Sequence, residues 1–234
     1  MLDAVAAEAL KMRRHRGTWL MVWIYPIAIS LIALASLIYH QFAPASPAGD
    51  PQSAAAWIAD SAIFWRAPGS AFGRILIAGF VALLFAGEYS WNTWKLIIPA
   101  RRRWQLVIAK WAVAVSFVFA AFVVTDLIVL AREWLRTFQG SEMPVGVTWS
   151  GILTAHASAA TYALLPIAYA TAFAALLAVL TRSILATVII SIGLVIMESM
   201  LTLIGIFFHA RAPDLTRVLI ETLPPYHVQN LISW

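Results

Sequence analysis

Five apolar stretches constrain this chain more than any other feature: residues 18–39, 72–87, 106–131, 158–180 and 184–208. Crossing the hydrocarbon layer takes about 20 mostly apolar residues. Inside that layer each backbone N–H and C=O must be bonded within its own segment, so blocks of this length read as α-helices. The second stretch is short in its uncharged part and reaches spanning length only if its helix continues through Glu88 toward Trp94. The sequence therefore predicts an all-α integral membrane protein, a polytopic helix bundle with spans at about 18–39, 72–94, 106–131, 158–180 and 184–208 in a single transmembrane domain covering residues 1–234. Only 12% of the 234 residues are charged and 62% are hydrophobic. A soluble domain carries about 25% charge, so a soluble enzyme and a disordered tail are both excluded. With no cysteine, disulfide scaffolds and thiolate metal sites are excluded too.

Lysine and arginine set the expected orientation. With the N-terminus in the cytoplasm, one side holds Lys11, Arg13, Arg14, Arg16, Lys95, Arg101, Arg102, Arg103, Lys110 and Arg182. The other side holds Arg66, Arg74, Arg132, Arg136, Arg211 and Arg217, diluted over longer loops that also carry acids. The positive-inside rule favours that arrangement. The net charge of +5 is then a topological and headgroup-facing charge, and no nucleic acid partner is expected. The first block exceeds the length of a signal-peptide core, and residues 36–40 offer no small-residue cleavage site, so it is expected to be retained. Five spans put the C-terminus outside, and the apolar tail ending at Trp234 suggests approach to a sixth span beyond it.

The connecting segments differ in kind. In the external segment 40–71, residues 54–65 are expected to form a short interfacial helix anchored by Trp57, Phe64 and Trp65. Residues 214–223 read as an amphipathic stretch stopped by Pro224 and Pro225. Near the N-terminus, Leu2, Val5, Ala6, Ala9 and Leu10 recur at helical spacing ahead of a basic run, which predicts an interfacial helix over residues 1–16 lying on the cytoplasmic leaflet.

The most specific stretch links spans two and three, at about 89–104. A helix leaves the membrane past Glu88, breaks at Pro99, meets the cluster Arg101, Arg102 and Arg103, and re-enters with Lys110 near its start. A solvated positive-inside loop accounts for the arginines. It does not account for Trp91, Trp94, Leu96, Ile97 and Ile98 in the same loop; that mixture suits a surface resting on a protein partner. The stretch resembles the corresponding link in the membrane subunits of ABC transporters of the type-2, ABCG-like exporter class. Glu88, Thr93, Pro99, Arg103 and Lys110 stand in matching order, with Asn92 where that family usually has glycine. The resemblance extends to the N-terminal helix and the tight link 181–183. It implies six spans per subunit, pairing with a second permease subunit as a homo- or heterodimer, and a separate cytoplasmic ATPase that carries the ATP and Mg and docks on the link. It also implies a multi-pass location in a plasma membrane, a bacterial inner membrane in particular. Glu88, Trp91, Thr93, Trp94, Lys95, Leu96, Ile97, Arg101, Arg102 and Arg103 are the expected coupling residues.

The sequence offers little chemistry of its own. It lacks a P-loop, and no cofactor is expected on this chain. The five histidines are scattered, which argues against metal or haem ligation between spans, and no Ser/His/Asp set stands out. Three acids lie in or near the spans, where ionisable groups are functional candidates. Glu88 is expected to pair with Lys95 or a neighbouring arginine, and Asp126 to be satisfied by interfacial water or Arg132. Glu198, deepest of the three, requires a partner, a cavity or a dimer seam. Asp126 and Glu198 are the candidates for a translocation path or seam. The expected function is the permease subunit of an ATP-driven exporter; the alternative is a membrane-embedded assembly subunit without transport activity.

Overall fold

The computed structural model describes residues 2–42, 53–90, 102–139, 143–209 and 211–233; for residues 40, 90, 103, 219, 224, 225, 229, 232 and 233 it describes the backbone only. Its elements are α1 (Leu2–Arg14), α2 (Arg16–Phe42), α3 (Ala54–Ser61), a 3₁₀ turn (Ile63–Gly69), α4 (Ala71–Ser90), α5 (Arg103–Thr137), α6 (Trp149–Thr181), α7 (Ile184–Phe208), α8 (Pro213–Glu221) and α9 (Pro224–Ser233). Five of them, α2, α4, α5, α6 and α7, are long and apolar enough to cross a membrane. The protein is an all-α polytopic membrane protein. The helices outrun the apolar blocks: the fourth span's helix starts at Trp149 rather than about 158, where Thr148 caps it by accepting the Gly151 N–H at 3.1 Å.

α4 is the most enclosed span and packs against α2, α6 and α7. Ile77, Phe80, Val81 and Phe85 recur at helical spacing along it, each at most 2% exposed. Small residues let its neighbours approach: Ala170, Ala174 and Ala178 form a buried stripe four residues apart on α6, and Ala109, Ala114 and Ala121 are buried on α5. Pro26 and Pro166 lie within α2 and α6, which continue through them. The turn between α6 and α7 is minimal because Arg182 takes a left-handed conformation (φ 53°) and Ser183 caps α7.

Three terminal and loop features differ from expectation. α1 turns Ala4, Glu8 and Met12 inward and leaves Leu2 and Leu10 exposed, so a polar-containing face docks on the bundle while part of the apolar face looks outward. The segment expected as one helix over 54–65 is α3 followed by the 3₁₀ turn. Trp65, expected as a lipid anchor, is 5% exposed and packs on Phe119 and Phe122. Pro224 and Pro225 do not merely stop a helix; they open α9, where a missing N–H costs nothing.

Gly73 shows why the 3₁₀ turn can lie so tightly against α4. A Cβ there would stand 1.9 Å from the Ala67 carbonyl oxygen, so the approach admits glycine alone. The Gly73 carbonyl accepts from the Tyr25 hydroxyl at 3.0 Å, which ties α2 to the same corner.

Candidate functional site

Glu88, Asp126 and Glu198 each have a cationic or histidine partner on another helix, and the three pairs join helices at different depths. Where α1 meets the end of α4 and the start of α5, Glu88 of α4 pairs with Lys110 on α5 at 2.5 Å and also with Lys11 of α1. Lys110 donates to the Leu84 carbonyl at 3.3 Å, and Glu8 of α1 stands 3.4 Å from its ammonium, a contact of charges rather than a well-formed hydrogen bond. Two lysines and two glutamates thus compensate one another in a site where Lys110 and Glu88 are at most 2% exposed. Such burial requires pairing, since an isolated ion there is prohibitively costly. Burial also lowers the pKa of Lys11 below the ordinary lysine value; the nearby Lys110 adds to this and Glu8 opposes it. Lys110 and Lys11 are partners of Glu88 that the sequence did not suggest, while Lys95 and Arg101, two of those it did, lie outside the described residues. Residues 77 positions apart cannot be matched from local spacing.

The cluster stands where the second and third spans meet the link expected to couple to an ATPase. Of the residues expected there, Trp91, Thr93, Trp94, Lys95, Leu96, Ile97 and Arg101 lie outside the described residues. Arg102 is exposed just before α5, and Arg103 begins that helix. On the same side, the Arg182 guanidinium lies 5.8 Å from the centre of the Tyr89 ring, joining the α6–α7 turn to the end of α4. His15, between α1 and α2, accepts the Thr18 N–H at 3.2 Å and so caps the first span.

Toward the other end, Asp126 is paired with a histidine, and Arg132 has other partners. Both its carboxylate oxygens lie 2.9 Å from His156 Nδ1 on α6, and His156 Nε2 lies 3.0 Å from the Ser61 hydroxyl. A Ser/His/Asp arrangement therefore exists, contrary to the sequence expectation. Its members lie 30 and 95 positions apart along the chain. The order matches that of a hydrolase triad, in which the carboxylate fixes the ring and the far nitrogen meets a hydroxyl. All three groups are at most 7% exposed, and Ser61 also donates to the Ile58 carbonyl at 2.7 Å. The geometry is that of a latch fastening α3 to α5 and α6. Arg132 instead pairs with Glu133 at 2.9 Å and donates to Ser36 at 3.0 Å.

Glu198 on α7 is paired with Arg74 in the first turn of α4, both side chains 12% exposed. Its required partner is thus within the chain. Among the described residues, no group of three or more His, Asp or Glu side chains is placed to hold a metal ion.

These features define a multi-pass α-helical membrane protein whose spans are cross-linked by buried ion pairs. The chain matches the sequence model of the ABC-2 family transporter proteins over residues 4–198, and it belongs to that family as a transporter permease domain. No match to it appears among curated proteins or among solved structures.

Proposed function

We propose that this chain is the permease subunit of an ATP-driven exporter. It pairs with a second permease subunit in a bacterial inner membrane and is driven by a separate cytoplasmic ATPase. ATP and Mg belong to that partner, and the link 89–104 is its docking surface. The observation that carries the reading is the Glu8/Lys11/Glu88/Lys110 cluster. It joins α1, α4 and α5 at the base of the link, so a force applied to the link reaches two spans and the N-terminal helix together.

A force on one rigid corner is useful only if the spans can move against something. The outward faces of α2 and α7 supply apolar surface for lipid and for a second subunit; Leu31, Ile32, Met197, Met200 and Ile204 are each at least 45% exposed. Affinity purification of the full chain from native membranes tests the reading. The expected result is a co-purified P-loop ATPase and a second permease copy or homologue. A chain recovered alone or with non-ATPase assembly partners overturns it.

A further inference from the structure

A cleft of about 640 Å³ opens between the 3₁₀ turn, the start of α4 and the outer half of α6, with Val228 of α9 at its edge. It lies within the volume range of small-molecule sites, roughly 300–1,000 Å³. Among the described residues its wall carries two arginines, Arg66 and Arg74, and no acid. Arg66 is exposed, and no acid pairs with it among the described residues. Arg74 is turned partly away, toward Glu198, which does not line this cleft. Counting Glu198, the described side chains of the site still hold one excess positive charge. The rest of the wall is mainly alanine with Trp65, Pro166 and the rings of Tyr162 and Tyr169. Tyr162 is half-exposed at the opening.

A cationic end beside an apolar trough is complementary to a molecule with an anionic head and an apolar body. We propose that this cleft binds a single-chain anionic amphiphile, its head held at Arg66 and Arg74 and its chain lying along the alanine face of α6. This deepens the permease reading by naming a substrate class, but binding itself requires neither ATP nor the ATPase. The Ser61–His156 bond supports the site indirectly. Ser61 lies between Ala59 and Ala62 on one wall, and His156 follows Ala155 on the other. The latch therefore fixes the distance across the trough.

The test uses the full chain in nanodiscs of neutral lipid, without ATP, titrated with dodecanoate, dodecyltrimethylammonium and inorganic phosphate. Dodecanoate is expected to bind saturably, the cationic homologue at least about tenfold more weakly, and phosphate alone weakly for want of the apolar body. Arg66→Gln should weaken dodecanoate about tenfold; as an exposed residue outside any ion pair among the described residues, Arg66 can be replaced without disturbing the fold. Ala159→Trp should block binding by filling the trough. Because Arg74→Gln strands Glu198, the double variant Arg74→Gln/Glu198→Gln supplies the second arm and is also expected to bind weakly. Equal binding of anion and cation, phosphate binding as tight as dodecanoate, or wild-type affinity in Arg66→Gln and Ala159→Trp overturns the proposal. A failure of the ATPase to co-purify leaves these binding outcomes unchanged, so the two readings fail separately.

Discussion

Lys110 and Glu88 face each other at 2.5 Å with almost no exposure to solvent, one near the start of α5 and the other near the end of α4. Lys110 also faces Glu8, so its loss removes a counter-charge from two buried carboxylates and leaves Glu88 with Lys11, whereas after loss of Glu88 or of Glu8 the other acid still faces Lys110. Lys110→Met should therefore destabilise the protein by about 3–5 kcal/mol, more than Glu88→Gln, which in turn should cost more than Glu8→Gln. Thermal unfolding in detergent measures the order. Three variants as stable as wild type would mean the cluster contributes nothing to holding α4 and α5 together.

α1 is held by the same charges. Glu8→Gln removes its contact with Lys110, and Lys11→Gln its contact with Glu88. Trypsin cleavage after Arg13 or Arg14 should be faster in both variants, with the five spans intact. Unchanged cleavage would indicate that Met12 and Ala4, buried on the same face, suffice to dock the helix.

Gly73→Ala should be among the most damaging small substitutions in the chain, because its Cβ would stand 1.9 Å from the Ala67 carbonyl. Overpacking costs typically about 1–3 kcal/mol, and here a backbone oxygen has to yield. Gly79→Ala and Gly193→Ala meet nothing within 4 Å and should be neutral or slightly stabilising, since alanine favours helix by about 1 kcal/mol. Expression level and melting temperature of the three variants separate these outcomes.

Asp126→Asn should weaken the latch on α3 by about 1–3 kcal/mol, since buried His156 loses a charged acceptor. A cysteine introduced at Ile63, exposed just beyond the latch, should then react faster with a thiol reagent. An unchanged rate would assign the hold on α3 to apolar packing.

Single cysteines at Val145 and Arg102, both exposed, report orientation in a chain with no cysteine of its own. Val145→Cys should label from outside and Arg102→Cys only after access to the cytoplasm. Labelling of both from one side overturns the assigned topology.

The spans were legible because apolar length is a local property, and 18–25 residues of it have few alternatives in water or lipid. The pairings were not, because partners such as Arg74 and Glu198 are 124 positions apart. A usable signal was nevertheless present in depth. On the expected orientation, Glu88 and Lys110 both lie at cytoplasmic span ends, Asp126 and His156 both toward external ends, and Arg74 and Glu198 both in the outer half. Matching intramembrane acids to intramembrane cations or histidine at equal depth recovers all three pairs. Ser61 carries no such signal, because it sits on a helix whose position against α6 is set by tertiary packing. The inward face of α1 is not legible for a related reason: Glu8 is an unfavourable core residue until Lys110 is placed beside it.

The account centres on residues 89–104 as the docking surface of an ATPase. Leu96→Asp with Ile97→Asp tests it most directly, since both positions lie in the stretch of sequence between α4 and α5. An apolar side chain buried in an interface contributes about 1.5–3 kcal/mol, and an unpaired buried carboxylate adds further cost. Association should therefore weaken by about tenfold or more, read as ATPase co-purified per inserted permease, while insertion and melting temperature stay at wild-type values. A double variant that inserts normally and retains its ATPase at the wild-type ratio would contradict the docking assignment.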